Sequence, residues 1–385
     1  MAEPPPIALY VHWPYCARIC PYCDFNVYRA RGREAEAAHL ATAMLADLRA
    51  QAGRLGPRRL VSIHFGGGTP SLADPAFIAA VVDEAAALFS PAHDLEIALE
   101  ANPTDAESGR YADFAAAGVN RLSLGVQSLD DGALRFLGRD HEAAEARRAA
   151  DLARQRFARL SIDLIYALPG QRLKAWRDEL CWAADLGAEH ISPYQLTIEA
   201  RTAFGRAAAR GVLRPPGGRR GAALYELTQS VLGEAGFEAY EVSNHARGEA
   251  ARSRHNLSVW RGADYLGIGP GAHGRLTLEG VRRATLGAPR VDDYLAAVAE
   301  RGDGLERDAA LDAREDAEER LMLALRLAEG APAGLFAALG LSADADPLRW
   351  LLADGLLEQC GGRVAATPAG RPVLDAVLAA LLARP

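Results

Sequence analysis

Cysteine is scarce in this sequence: the 385 residues include only five. So few thiols, unevenly spaced, are typical of the cytosol and exclude a disulfide framework of the kind that small secreted domains use. Three of the five nevertheless fall within eight residues, at Cys16, Cys20 and Cys23, whereas Cys181 and Cys360 are far away and isolated. The group of three thiols therefore needs a chemical explanation.

Long apolar runs are also lacking, and no stretch is long enough to span a bilayer as a helix. The first residues, Met-Ala-Glu-Pro-Pro-Pro, lack the basic and apolar regions of a signal peptide. We therefore expect a cytoplasmic protein, with peripheral attachment to the membrane as an alternative. An excess of positive charge is missing too: the formal net charge is −7, which argues against a general nucleic-acid binder.

The three clustered cysteines have the spacing CxxxCxxC and directly follow the strand-like run Ile7–His12. A zinc site usually takes four ligands as two separated pairs, and the two isolated cysteines form no second pair. Three clustered thiolates fit a cuboidal 4Fe–4S cluster better, with one iron left open to bind a small molecule. A zinc knuckle and three unrelated buried thiols are the alternatives.

Strand-like and helix-like stretches alternate through the first two-thirds of the chain. The predicted strands are Ile7–His12, Leu60–Phe65, Leu95–Leu99, Arg121–Leu124, Leu160–Ile165 and His190–Leu196. Six βα units in sequence predict a parallel sheet with right-handed crossovers. A doubly wound sheet has the same periodicity, but polar or glycine-rich residues follow strand after strand, as at the mouth of a β/α barrel. The predicted fold class is therefore α/β, with a partial (β/α)6 barrel over residues 1–237.

Several residues at these strand ends can bind a ligand. Gly66–Gly68 lack a Cβ and let the backbone approach a ligand closely. Carboxylates such as Glu100 and Asp163 can hold hydroxyl or ammonium groups by charge-assisted hydrogen bonds, and Gln127 offers both a donor and an acceptor. Each residue alone could equally be a structural or solvated polar group; together on one face they favour a ligand site.

Beyond residue 237 the alternation ends. Residues 238–290 mix glycine, histidine and aromatic residues so densely that we predict a long loop closing over the barrel mouth. Residues 291–385 are predicted to form a small α+β domain with helices, then a β-hairpin turning at Gly361-Gly362, then a final helix. This order resembles a winged helix. Because its charge is mixed, we interpret the domain as a lid or as a docking site for a partner.

The cysteine motif, with aromatic Tyr22 just before the last cysteine, resembles the radical S-adenosylmethionine (SAM) signature. Residues 7–275 are similar to the oxygen-independent coproporphyrinogen III oxidase-like family, and the C-terminal region resembles the domain appended in that family, called HemN_C-like. The shared motifs are Cys-Pro-Tyr-Cys-Asp-Phe, Phe-Gly-Gly-Gly-Thr-Pro, Glu-Ala-Asn-Pro, Gly-Val-Gln-Ser, Leu-Gly-Arg-Asp-His and Tyr-Leu-Gly-Ile-Gly-Pro-Gly-Ala-His-Gly.

Two positions resemble the haem-chaperone branch of that family rather than its oxidases. The oxidases carry a further cysteine two positions after the third cluster cysteine, where this chain has Phe25. The chaperone branch has a His-Asn-x-x-Tyr-Trp motif proposed to take part in haem binding. Here it begins at His255, and Val259 replaces the tyrosine. That change weakens any haem contact that needs a phenol but leaves the imidazole as an axial ligand.

The resemblance implies a 4Fe–4S cluster held by Cys16, Cys20 and Cys23, together with SAM, and haem as cargo bound through His255. The residues that it implies around SAM are Tyr10, Tyr22, Gly67, Gly68, Thr69, Glu100, Gln127, Arg139, Asp163 and Gln195. The implied partners are respiratory apoproteins that accept haem and a haem donor protein, with a homodimer left open. The alternatives are the oxidase itself, which decarboxylates two propionates of coproporphyrinogen III, another radical SAM enzyme, and a zinc-binding scaffold.

Overall fold

The computed structural model describes residues 3–214, 216–344 and 346–383. The strands are β1 (Pro6–Trp13), β2 (Tyr15–Cys16), β3 (Tyr28–Arg29), β4 (Arg59–Gly67), β5 (Ser90–Ala101), β6 (Arg121–Gln127), β7 (Arg159–Tyr166), β8 (His190–Gln195), β9 (Glu238–Ala239), β10 (His245–Ala246), β11 (Asp264–Ile268), β12 (His273–Leu278), β13 (Val281–Gly287), β14 (Leu305–Ala310), β15 (Ala331–Pro332), β16 (Leu357–Cys360) and β17 (Arg363–Ala366).

The helices, in the same order, are α1 (Glu34–Ala52), α2 (Pro75–Leu88), α3 (Asp105–Ser108), α4 (Tyr111–Ala116), α5 (Asp131–Phe136), α6 (Ala143–Arg156), α7 (Leu173–Asp185), α8 (Ala203–Ala209), α9 (Gly218–Glu234), α10 (Arg254–Trp260), α11 (Val291–Arg301), α12 (Ala313–Ala324), α13 (Ala333–Ala338), α14 (Leu348–Ala353) and α15 (Leu374–Leu382). Short 3₁₀ helices lie at Pro70–Leu72, Glu249–Ala251 and Arg371–Val373. None of the described helices combines the length and the apolar character that crossing a membrane requires.

A twelve-stranded sheet forms the body of the protein, in the order β14-β13-β12-β11-β1-β4-β5-β6-β7-β8-β10-β9. Strands β1 and β4 to β8 are parallel neighbours in chain order, as the predicted βα units require. The partial (β/α)6 barrel is therefore confirmed. We call the carboxyl ends of these six strands the mouth.

The burial of β1 and α1 explains why the apolar run of a strand and the apolar spacing of a helix could be recognised in the sequence. Residues 7–9 of β1 are buried on both faces of the strand, as expected of a parallel strand covered on both sides. On α1, Leu40, Met44 and Leu48 recur every four residues and are fully buried, so one face of the helix packs on the core.

The prediction of a long loop over residues 238–290 is wrong. The region contains α10 and the strands β11, β12 and β13, which extend the sheet beyond β1. Its glycines are required by close packing within the sheet rather than by a loop. A Cβ on Gly267 would overlap the backbone at His273, and one on Gly274 would overlap the Thr285 hydroxyl.

Residues 249–255, which we call the floor, lie at the end of the barrel opposite the mouth, so this part of the region does not cover the mouth as predicted. Arg121 and Arg159 stand at the first positions of β6 and β7. Their guanidinium groups donate to the carbonyl oxygens of Ala251 at 3.0 Å and of Ala250 at 2.9 Å. The floor is therefore hydrogen-bonded to the amino ends of the barrel strands.

Glu96, a fully buried residue of β5, ties the floor to the barrel wall. Its Oε1 accepts hydrogen bonds from the amides of Arg254 at 3.0 Å and His255 at 3.2 Å, the first two residues of α10. Its Oε2 lies 2.8 Å from Nη1 of Arg159. The carboxylate caps the N-terminus of α10, where a negative charge is favoured by the helix dipole.

Strand β14 still belongs to the large sheet, since it pairs with β13. Helix α11 packs on the same part of the protein, because the hydroxyl of its Tyr294 donates to the buried Asp47 of α1 at 2.5 Å. The predicted domain boundary at residue 290 therefore falls inside this sheet. A second core, around Leu321 and Phe336, begins later in the chain.

The C-terminal part contains the predicted helices and hairpin, as α12, α13, α14, α15 and the pair β16–β17. Strand β15 adds a third strand next to β17. This domain docks on α10 and β12: Arg261, just after α10, lies 2.8 Å from Glu329, and Arg275 of β12 lies 2.7 Å from Glu319 of α12. The winged-helix-like domain is thus attached to the segment that carries the floor.

Replacing Glu96 by glutamine should destabilise the barrel by about 3 kcal/mol, because Arg159 and Arg121 lose their fully buried carboxylate and keep only Glu189, whose side chain is 29% exposed. The free energy of unfolding, measured by urea titration with tryptophan fluorescence, gives the loss. The matched control is Asp94→Asn, which breaks the ion pair of Asp94 with Arg254, whose side chains are 52% and 33% exposed. The control should lose less than about 1 kcal/mol; equal losses would contradict the role given to Glu96.

Candidate functional site

The mouth opens into a cavity of about 480 Å³, which we call the mouth cavity. Of the residues assigned above to a cluster or ligand, those that line it are Cys16, Cys20, Tyr22, Cys23, Gly67, Gly68, Thr69, Glu100, Gln127, Arg139, Asp163 and Gln195. Tyr10 and His255 are not in its lining. The described residues of the C-terminal domain contribute nothing to the lining either, so that domain is not the lid that the sequence suggested.

The cysteines lie in a loop whose two ends are fixed by backbone hydrogen bonds. Cys16 ends β2, which pairs with β3, and the amide of Ala30 donates to the Cys16 carbonyl oxygen at 2.9 Å. Within the loop, the amide of Cys23 donates to the Cys20 carbonyl oxygen at 3.1 Å and forms a turn. The loop brings the three thiols to one cavity.

The thiols of Cys16 and Cys23 need nearby positive charge to ionise. Burial raises the pKa of each to about 11. The Arg139 guanidinium supplies one positive charge, since its Nη1 donates to the Cys20 sulfur at 3.4 Å. Metal ligation deprotonates thiols outright, so the irons of a cluster would supply the remainder.

Within the described ranges no three histidine, cysteine or carboxylate side chains are placed to share one metal ion. A cuboidal cluster does not require such sharing, because each cysteine binds a different iron. Three thiols around one cavity, without a fourth, fit a 4Fe–4S cluster that keeps one iron for a ligand.

The glycine run after β4 holds the entry to the cysteine loop. The Gly68 amide donates to the Trp13 carbonyl oxygen at 2.7 Å, and the Thr69 amide donates to the Tyr15 carbonyl oxygen at 2.9 Å. A Cβ on Gly68 would lie 2.8 Å from that same Tyr15 oxygen. Side chains larger than hydrogen are therefore excluded here by the protein backbone itself, before any ligand is considered.

Arg139 presents a rigidly held positive charge at the cavity wall. Besides Cys20, its guanidinium donates to the side-chain oxygen of Asn102 and to the Gly125 carbonyl oxygen, the latter at 3.2 Å. Its Nε is buried and has no partner among the described residues. A guanidinium fixed in this way suits the carboxylate of a ligand.

Gln127 is the most strained residue of the site. Its φ of +64° lies in the left-handed region, which residues other than glycine adopt only rarely. Its Oε1 is buried and finds no hydrogen-bond donor in the part of the chain that the structure describes. Backbone strain together with an unsatisfied acceptor at a cavity wall indicates a residue positioned for a ligand.

The two carboxylates of the cavity have different environments. Burial raises the pKa of Asp163 to about 6, although the Ser123 hydroxyl donates to it at 2.8 Å. Glu100 accepts a hydrogen bond from Nε2 of His64 at 3.0 Å, and its side chain is 38% exposed. Asp163 is therefore the carboxylate that can take up a proton near neutral pH, and Glu100 the one more open to a ligand.

Two residues of the site, Asn102 and His64, were missed by the sequence analysis. Asn102 connects Arg139 to Thr69, because its amide nitrogen also donates to the Thr69 hydroxyl at 3.3 Å. Asn102 directly follows β5 in the Glu-Ala-Asn-Pro motif, and this position at a strand end could have indicated that it belongs to the site. His64 gave no such signal, because it lies inside β4 and only the fold brings it to Glu100.

Tyr10 and His255 lie inside the barrel and not in the mouth cavity. The Tyr10 ring is 5.9 Å from the His255 ring, centre to centre. His255 is only 8% exposed and lies in α10, so the expectation that it lies in a loop is corrected. The physical reason is that Ser253 caps α10 by accepting from the Asn256 amide at 3.3 Å, and the helix so started turns His255 into the barrel. Its role as a haem ligand stays a prediction.

Replacing Asp163 by asparagine should change how stability depends on pH. Since the pKa of Asp163 is raised from 3.8 to about 6 by folding, the folded state binds the proton more tightly, and wild-type stability falls as pH rises through this interval. The asparagine variant lacks that loss, so its free energy of unfolding relative to wild type should increase by about 2 kcal/mol between pH 4 and pH 7.

Urea unfolding at several pH values measures this difference. Asp178→Asn is the matched control, because Asp178 lies on α7 with its side chain 60% exposed, and it should leave the pH profile of wild type unchanged. An Asp163→Asn profile parallel to that of wild type would refute the assignment of the raised pKa.

Comparisons with known proteins show the family of the chain. Residues 10–180 match the radical SAM superfamily, and residues 311–373 match the HemN C-terminal domain. The chain is 43% identical over 325 residues to the mouse "Radical S-adenosyl methionine domain-containing protein 1, mitochondrial", covering 83% of this chain and 73% of the relative. It is 36% identical over 391 residues to the Escherichia coli (strain K12) protein "Heme chaperone HemW", covering both chains in full.

Among solved structures, the chain is similar to the coproporphyrinogen III oxidase HemN of Escherichia coli, described as a radical SAM enzyme. The TM-score is 0.81 with 23% sequence identity, over 98% of this chain and 90% of that one. At this identity the likeness shows the fold alone. The relatives, in contrast, are similar enough over enough of their length to show the family: the chain belongs to the HemW-like family of radical SAM proteins.

Proposed function

We propose that this protein is a haem chaperone that holds a 4Fe–4S cluster and SAM in the mouth cavity and passes haem to apoproteins of the respiratory chain. The observation that carries the proposal is the similarity over the whole chain to the Escherichia coli protein named as a heme chaperone. Membership of the radical SAM superfamily implies the cluster and SAM. We also propose that the cargo is haem, that a donor protein supplies it and that respiratory apoproteins receive it.

In this proposal Cys16, Cys20 and Cys23 hold the cluster, which with SAM supplies the reductive chemistry of the superfamily. The protein residues orient SAM and shield it from water. Arg139 is suited to the SAM carboxylate because its guanidinium is fixed at the cavity wall. Glu100 suits an ammonium or hydroxyl group because its side chain is partly open to the cavity. The other proposed neighbours of SAM line the mouth cavity: Tyr22, Gly67, Gly68, Thr69, Gln127, Asp163 and Gln195. Tyr10 is not among them, because it lies outside the lining.

Phe25 supports a chaperone over an oxidase. By the resemblance, the oxidases have a cysteine at this position. Here the phenyl ring lines the mouth cavity and is 63% exposed. A phenylalanine can neither bind iron nor exchange a proton, so any chemistry that needs a thiol at this place is absent from this chain.

Haem ligation by His255 remains part of the proposal. Because the imidazole is buried, haem could reach it only if α10 moved away from β1 and β4. Burial also lowers the pKa of His255 well below its ordinary value, so the ring is neutral in the closed barrel.

The cluster ligands can be tested one at a time. Cys20→Ala should abolish the absorption near roughly 400 nm that a reconstituted cuboidal cluster gives, because one iron loses its protein ligand. The controls are Cys181→Ala and Cys360→Ala, whose thiols are exposed and far from the loop; both should keep the absorption and the iron content of wild type. A Cys20→Ala protein with wild-type iron would exclude this ligand set, and bound zinc in the wild type would favour a zinc scaffold.

The function is tested by comparing two reactions of the anaerobically reconstituted protein. Given coproporphyrinogen III, SAM and a strong reductant, the protein should form no decarboxylated product. Given haem and an apocytochrome, it should bind haem and transfer it, as followed by the absorption spectrum of the acceptor. Multiple turnovers of decarboxylation would establish the oxidase instead. Failure to bind haem, with the cluster intact, would remove the chaperone proposal.

A further inference from the structure

His255 stacks inside the barrel against a second imidazole, that of His64, whose side chain is 14% exposed. The rings of His255 and His64 are 4.5 Å apart, centre to centre, and 13° from parallel. Tyr10 flanks both rings, 5.9 Å from His255 and 6.2 Å from His64. Three aromatic rings from α10, β4 and β1 thus pack together between the floor and the mouth cavity.

A hydrogen bond from His64 to Glu100 connects this stack to the mouth cavity. His64 Nε2 lies 3.0 Å from Oε1 of Glu100, and Glu100 lines the cavity. The space around this bond is tight, because a Cβ on Gly66 would lie 3.1 Å from both Glu100 Oε1 and the His64 ring. The orientation of the Glu100 carboxylate therefore depends on where the His64 ring is held.

The His64 ring is held mainly by stacking. Its Nδ1 is buried and has no hydrogen-bond partner within the described residues, and the same is true of Nδ1 of His255. The two rings consequently fix each other by their faces, and Nε2 of His64 is the nitrogen that bonds to Glu100. His255 is in turn fixed by its backbone, since its amide donates to Glu96 at 3.2 Å.

We propose that His255 is a positioning residue for the SAM site: it supports the His64 ring, and His64 in turn orients the Glu100 carboxylate toward the ligand in the mouth cavity. This inference rests on the SAM-binding part of the proposed function and gives His255 a role in the closed barrel that is separate from haem ligation. Neutral imidazole suits the role, because two stacked cations would repel each other.

The test is the affinity of the cluster-loaded protein for SAM, measured by calorimetry without oxygen. His255→Ala should weaken SAM binding about tenfold, because the His64 ring loses its support and the Glu100 carboxylate its orientation. His255→Phe should stay within about twofold of wild type, because a flat ring restores the stack. The matched control, His93→Ala, removes an exposed histidine of β5 and should bind SAM as wild type does.

A double variant separates positioning from a general structural effect. If His255 acts through Glu100, then His255→Ala should cost little further affinity in a Glu100→Gln background. If the double variant lost SAM affinity by the product of the two single losses, the inference would be overturned. Wild-type SAM affinity in His255→Ala would overturn it as well. Should His255→Ala fail to fold, His64→Phe is the second variant, because it keeps the stack but removes the hydrogen bond to Glu100. It should weaken SAM binding about as much as Glu100→Gln does. Wild-type affinity in His64→Phe would equally overturn the inference.

The same measurements distinguish a failure of the proposed function from a failure of this inference. Wild-type protein with an intact cluster that fails to bind SAM would refute both the SAM part of the proposed function and this inference. Wild-type protein that binds SAM, with variants that bind it equally, would refute the inference alone. Haem titration of His255→Phe reports on haem ligation only, because phenylalanine can support His64 but cannot bind iron.

Discussion

The site depends on one close backbone contact, in which the chain at Gly68 lies against the chain between Trp13 and Tyr15. The amides of Gly68 and Thr69 donate to the carbonyl oxygens on either side of Pro14, and this fixes where the cysteine loop leaves β1. Without it, the three thiols would not be held at the mouth. Because the contact is between backbones, only glycine satisfies it, and the motif is needed for folding as well as for any ligand.

Polar groups inside the barrel place the site under a second constraint. Glu96 is fully buried, and Asp163 and Arg139 are half-buried. A charge in such a place is costly unless other groups compensate it. At the floor, Glu96 meets two amides and a guanidinium. At the mouth, the Arg139 Nε and the Gln127 Oε1 lack partners among the described residues. Unsatisfied polar atoms on residues that line the mouth cavity are what a ligand site requires.

The features that could be predicted are those that depend on local pattern. The six βα units follow from strand and helix periodicity, as in α1, and the cysteine loop follows from its spacing. The features that could not be predicted depend on contacts distant in sequence. The glycines of β11 and β12 resembled those of a loop because their reason, a neighbouring strand, is not visible locally. Likewise nothing near His255 indicates Glu96, His64 or Tyr10, so its burial could be seen only in the fold.

The closed floor has a consequence for the order in which ligands enter. With the amino end of the barrel occupied by residues 249–255, the deep wall of the mouth cavity can be reached only from its open side. In the proposed function a cluster would have to be in place before SAM, since SAM needs its open iron, and both would enter and leave by that same side. A molecule bound at the rim would then hinder the exchange of SAM.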